Sequence, residues 1–169
     1  IFEEQFLVGS RETDMFDLCR PSALLGLLQS AATAHAFHSG LSRGELVERQ
    51  HAIWMLVRLK YTLRRPIRGM ETLTVRTWHR EATGVTMYRD YALLVNGEIV
   101  GTAVSTWVVV DMDTRAMMRM SEVFPDSDKT AVNDGGGEML KKLKIPPGLE
   151  EVGSRVMQYS DADINGHVN

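Results

Sequence analysis

The stretch Pro21-Ser22-Ala23-Leu24-Leu25-Gly26-Leu27-Leu28-Gln29-Ser30-Ala31-Ala32-Thr33-Ala34 carries no charged side chain. Proline is favoured in the first turn of a helix, where its missing N–H has no intrahelical partner to lose, so Pro21 and Ser22 open one. The helix is expected to end near Ser39-Gly40. Apolar residues lie on almost every side of it, the pattern of a helix buried over most of its surface. Its small residues would let a sheet approach closely.

The sequence on either side supplies that sheet. Phe2 to Val8 reads as a short strand, and Ser42 to Gln50 as a short amphipathic helix. Ile53, Met55, Val57, Leu59, Tyr61 and Leu63 then alternate with Arg58, Lys60, Thr62 and Arg64, which predicts one half-buried strand with a single apolar face. Thr72 to Arg80 is the next strand. Thr86 to Val95 leads through Asn96-Gly97, a hairpin signal of type I′, into Ile99 to Val110, whose nearly continuous apolar run predicts an interior strand. One long helix followed by antiparallel strands gives an α+β fold, a curved antiparallel sheet wrapped around the helix.

From Asp126 to Gly153 the pattern breaks. Asp134-Gly135-Gly136-Gly137 is flexible and Ile145-Pro146-Pro147-Gly148 is a stiff turn, with one or two helical turns expected over Met139–Lys144 between them. Three segments follow: a domain over 1–125, a linker over 126–153, and a new strand with a polar motif over 154–169. In that motif Asp161, Asp163, Asn165 and His167 sit at a spacing of two, which in an extended backbone puts them on one face. Carboxylate, carboxamide and imidazole together are a plausible hydrolytic set. The motif has a counterpart at an offset of 149 residues: Asp14 aligns with Asp163, Glu12 with Asp161, Phe16 with Asn165 and Leu18 with His167. Both carboxylates recur, and the amide and imidazole become apolar, so Phe16 is expected in a core or interface. This is a weak internal repeat. A calcium loop is the rival reading of Asp161-x-Asp163-x-Asn165-Gly166. Against it stand the strand-like Arg155-Val156-Met157-Gln158-Tyr159 before it and a twelfth ligand position that falls beyond Asn169.

Asp163-Ile164-Asn165-Gly166-His167-Val168-Asn169 resembles the motif that opens the second half of the bacterial and plant acyl-ACP thioesterases, which are tandem double hot-dogs. Arg11-Glu12-Thr13-Asp14-Met15-Phe16, Ser105-Thr106-Trp107-Val108 and Asp113-Thr114-Arg115 resemble the same family more loosely. The resemblance implies a first hot-dog followed by the start of a second, and hydrolysis of a fatty acyl thioester carried on acyl carrier protein. It implies catalytic roles for Asp163, Asn165 and His167: Asn165 to donate to an oxyanion or position a water, His167 to move a proton, Asp163 to orient them. A further catalytic Glu or Cys is expected on a helix beyond Asn169, and the chain without it is expected to be inactive. The resemblance also implies an acyl pocket lined by Leu24, Leu28, Ala31 and Trp54. A ligand-binding or dimerising hot-dog without chemistry, and an acyl-CoA hydrolase, remain alternatives.

The remaining features bound the function. A net charge of −3 argues against nucleic acid. The basic clusters at Arg64-Arg65-Pro66-Ile67-Arg68 and at Lys141, Lys142 and Lys144 would suit an acidic carrier protein or be solvated loop charges. No 18-residue apolar run predicts a membrane span. The single cysteine, Cys19, excludes an intrachain disulfide and fits a reducing, cytoplasmic location. Ile1 opens the chain with no signal-peptide pattern after it, read as a trimmed start. His35 and His38, at i and i+3, have no carboxylate or Cys nearby in sequence, so no metal and no cofactor is expected. Homodimerisation is left open.

Overall fold

The computed structural model describes residues 1–80, 82–124, 138–162 and 168. Five strands form one antiparallel sheet: β1 (Phe2–Leu7), β2 (Ala52–Leu63), β3 (Thr72–His79), β4 (Met87–Val95) and β5 (Glu98–Asp111), in the spatial order β1-β3-β4-β5-β2. Among the described residues three α-helices accompany them: α1 (Pro21–His38), α2 (Arg43–Gln50) and the single turn α3 (Met120–Val123). This is the α+β hot-dog architecture, with α1 held in the concave face of the sheet.

Local chemistry explains the elements. Pro21 stands in the first turn of α1. Ser42 and Glu45 close a capping box at the start of α2, each side chain reaching the other's backbone N–H. Asn96 and Gly97 both take positive φ, 52° and 81°, as a type I′ turn requires, and join β4 to β5. β5 lies between β4 and β2, which fits its apolar run.

Sheet and helix enclose one main core of Val8, Leu24, Leu28, Ala31, Ala32, Ile67, Leu73, Val75, Tyr91, Leu93, Val95, Val100 and Ala103. A second cluster closes the far end of the sheet: Leu46 of α2 and Met120, Val123 and Phe124 at α3 pack on Ala52, Met87 and Val109.

Four expectations are corrected. α1 is not buried on most sides: Leu24, Leu28, Ala31 and Ala32 are buried, while Ser22, Gly26, Ser30, Thr33 and Phe37 face outward and are exposed. One sheet can cover only one face of a helix. β2 does not keep a single apolar face either. The register slips between Leu56 and Arg58, so Ala52, Trp54 and Leu56 share a face with Leu59, Tyr61 and Leu63 on the other side of the bulge, and Met55 and Val57 turn out to solvent. Met139–Lys144 forms no helical turn, and its side chains are largely exposed, so no packed face repays the cost of nucleating one. No strand forms at 154–158; these residues are exposed and pair with no neighbour among the described residues. A 3₁₀ turn at Tyr159–Asp161 follows instead.

Candidate functional site

The loop ahead of α1 is organised by its two carboxylates. Glu12 turns back to accept the Gly9 N–H at 3.0 Å, and its own N–H bonds the Gly9 carbonyl at 3.1 Å. Thr13 and Cys19 then form an antiparallel bridge. Inside that bridge the Asp14 carboxylate accepts the N–H groups of Phe16 and Leu18 at 2.9 and 3.1 Å. This hairpin-like turn throws Met15 and Phe16 outward, and Phe16 is 69% exposed. Of the expected core or interface place for Phe16, the core is ruled out by this exposure: two local hydrogen bonds hold the turn that carries its ring outward.

The Gly9–Glu12 bonds and the bridge that follows them recur at the other end of the chain. Asp161 accepts the Gln158 N–H at 2.8 Å, its N–H bonds the Gln158 carbonyl at 2.9 Å, and Ala162 bridges Val168. Gly9, Glu12, Thr13 and Cys19 map onto Gln158, Asp161, Ala162 and Val168 at the single offset of 149 residues that the sequence repeat gives. Arg155 additionally clamps Asp161 at 2.6 Å. Asp163, Asn165 and His167, expected to carry catalysis, lie outside the described residues.

Leu24, Leu28 and Ala31, expected to line a pocket, come together on the inner face of α1, each no more than 1% exposed. Trp54 does not join them. It belongs to the second cluster, stacked on Phe124 at 5.2 Å, with its Nε1 donating to the Leu41 carbonyl at 2.9 Å. Its edge contact with Trp107 at 6.3 Å links the two clusters. Of the basic residues, Arg65 pairs with Glu71 at 2.9 Å, and Lys141, Lys142 and Lys144 are exposed. Lys60 and Arg80 both reach Glu138, which fastens the start of the later segment to the sheet.

A polar set built on Thr77, His79, Arg89 and Tyr91, which the sequence reading did not single out, lies under the last turn of α1. On the concave face the inward row of β3 changes from Leu73 and Val75 to Thr77 and His79, and that of β4 from Leu93 to Tyr91 and Arg89. Registry places His79 beside Arg89, and Arg89 beside Ser105 of β5. The Arg89 guanidinium donates through Nη1 to His35 Nδ1 at 2.7 Å and to Thr77 Oγ1 at 3.2 Å. Tyr91 Oη and Trp107 Nε1 meet at the Ser105 hydroxyl, at 3.2 and 2.7 Å. Burial, reinforced by the Arg89 charge, lowers the His35 pKa from 6.5 to about 4. Burial likewise lowers that of His79. Burial raises the Tyr91 phenol and pulls Arg89 below the usual guanidinium range. Both imidazoles are therefore neutral at pH 7, and Arg89 is the charge of the patch. The signal was in the sequence: an arginine standing at an inward position of an otherwise alternating strand.

With this geometry in place, comparison with known proteins defines the class. Residues 1–126 match the family described as acyl-ACP thioesterase N-terminal domain, and the chain belongs to that family. It is 26% identical over 188 residues to oleoyl-acyl carrier protein thioesterase 2 of Arabidopsis thaliana, a match that covers 99% of this chain and 50% of the relative. The chain thus spans about half the length of the curated relatives it matches. The crystal structure of an acyl-ACP thioesterase from Bacteroides thetaiotaomicron superposes with a TM-score of 0.85 at 25% identity, over 99% of this chain and 68% of that one. A DHNA-CoA thioesterase from Staphylococcus aureus shares the fold at a TM-score of 0.68 and 19% identity, over 76% of this chain and 87% of its own.

Proposed function

We propose that the protein containing this chain hydrolyses fatty acyl thioesters of acyl carrier protein, releasing the free acid. The observation that carries this reading is the repeated turn: two sites 149 residues apart make the same backbone and carboxylate hydrogen bonds, yet only the second is followed by an amide and an imidazole. Residues 1–125 then form a first hot-dog that has kept the turn without the chemistry. Residues 126–153 connect it to 154–169, which open a second unit.

In this reading Asn165 offers an amide donor to the oxyanion or to the attacking water, His167 transfers the proton, and Asp163 orients them. Phe16 and Leu18 at the equivalent first-copy positions can do neither. Leu24, Leu28 and Ala31 line the acyl chain. The acidic carrier would be drawn by the exposed Lys141, Lys142 and Lys144. Among the described residues no helix is long and apolar enough to cross a membrane, and the lone thiol, Cys19, fits a reducing cytoplasm. In the full-length protein Asn165→Ala or His167→Ala should lower acyl-ACP turnover by about 10²–10⁴-fold, the range for losing an oxyanion donor or an acid–base group. Wild-type-like turnover in both variants would sink the assignment. Faster turnover of acyl-CoA than of acyl-ACP by the wild type would replace the carrier protein with coenzyme A.

A further inference from the structure

The buried polar side chains of the described chain are concentrated rather than scattered. Thr77, His79, Arg89 and Ser105 form one contiguous patch on the concave face, and only Thr106 lies on the opposite face of the sheet. Arg89 is 7% exposed. Among the described residues no carboxylate pairs with it, whereas Arg65, Arg76 and Arg80 each meet an acid. A guanidinium has five N–H donors in a planar fork. The bonds to His35 and Thr77 both come from Nη1. Because arginine can only donate, His35 must accept through Nδ1, so the neutral ring carries its proton on Nε2 and presents a second donor. Burying a cation without a counter-charge is costly, and an apolar residue of similar volume is commonly as good or better for stability. A residue kept at that cost calls for an anion to meet it.

The surroundings say which kind. A planar fork matches a carboxylate bidentately. His35 continues the same face of α1 that carries Leu24, Leu28 and Ala31, so the approach to the fork is apolar. We propose that Arg89, oriented by His35 and Thr77, binds the terminal carboxylate of a fatty-acid-like ligand whose hydrocarbon chain lies along the inner face of α1. The site binds without chemistry, and it stands independently of the catalytic assignment to Asn165 and His167. The same carboxylate could belong to a free fatty acid or to the far end of an acyl chain still esterified at its other end.

The test compares dodecanoate with dodecan-1-ol on the full-length protein, by titration calorimetry and by ligand-induced change in melting temperature. Dodecanoate should bind about 10- to 100-fold more tightly, the range expected for one charge-assisted contact. Arg89→Met should remove that preference and the acid-induced rise in melting temperature. Arg89→Lys, which keeps the charge without the fork and guards against a misfolded Met variant, should retain a reduced preference. Monomethyl dodecanedioate separates the sources: binding equal to dodecanoate assigns the site to the distal end of an esterified chain, and weaker binding to the free acid. Equal affinity of acid and alcohol in the wild type, or an undiminished acid preference in Arg89→Met, would overturn the proposal.

Discussion

At the last turn of α1 a neutral histidine accepts from a buried arginine, and this contact sets an acid limit on the fold. The groups around His35 are Arg89, His79, His38 and the N-terminal amine, all of which disfavour its protonation, with burial the largest influence. An unfolded chain would protonate His35 near 6.5, but the folded one holds out to about 4. Between those values unfolding takes up a proton, so stability falls as the pH drops. His79 acts in the same direction. The melting temperature should therefore decline steadily from about pH 6.5 towards about pH 4. His35→Gln keeps an acceptor for Arg89 but cannot titrate, and should flatten part of that slope in a thermal series across the range. A slope unchanged by the substitution would assign the acid sensitivity to other groups. None of this was legible from His35 and His38 as a sequence pair, because the arginine that gives His35 its role stands 54 residues away.

At the scale of elements, reading and structure agree where the signal is local. The Asn96-Gly97 turn, the Pro21 start of α1 and the end of β2 at Leu63 follow from residues adjacent in sequence. They part where tertiary pairing intervenes. The alternation through Ile53 to Leu63 looks uniform, but a bulge at Val57 reverses its phase, and only the partner β5 can reveal an unpaired residue. The strand expected at 154–158 has the right composition, but among the described residues it pairs with no neighbour. Gly101 shows how tightly β5 is held. A Cβ added there would lie 2.7 Å from the Thr62 carbonyl oxygen and 2.7 Å from Leu63 Cδ2. The leucine can rotate, but the backbone oxygen sits in the β2–β5 ladder and cannot yield without opening it. Gly101→Ala should cost about 1–3 kcal/mol, the usual range for overpacking a filled site. In urea the midpoint should fall with the slope unchanged. No shift in midpoint would mean that this end of the seam gives way freely.

At the scale of the whole molecule the described residues build a hot-dog with its core between α1 and the sheet, and the pocket reading competes with plain packing over the same residues. Leu24, Leu28 and Ala31 were chosen from the sequence because they share a helix face; they do, and they are fully buried. Trp54 was chosen with them, but β2 carries it to the opposite end of the concave face, beyond Trp107. A lining residue and a core residue look alike in a sequence and differ only in what fills the space beside them. Ala31 separates the two readings best, because its small side chain lies between the apolar part of the face and His35. In the full-length protein Ala31→Phe should shift product acids towards shorter chains, since the ring would occupy length along the inner face of α1. It should also lower stability by about 1–3 kcal/mol, because α1 and the sheet are already in contact there. Product profiles measured beside melting temperatures decide between them. A shortened profile in a folded variant places the hydrocarbon chain against α1. A lowered melting temperature with the product lengths unchanged makes this face core alone, and the ligand must then lie elsewhere.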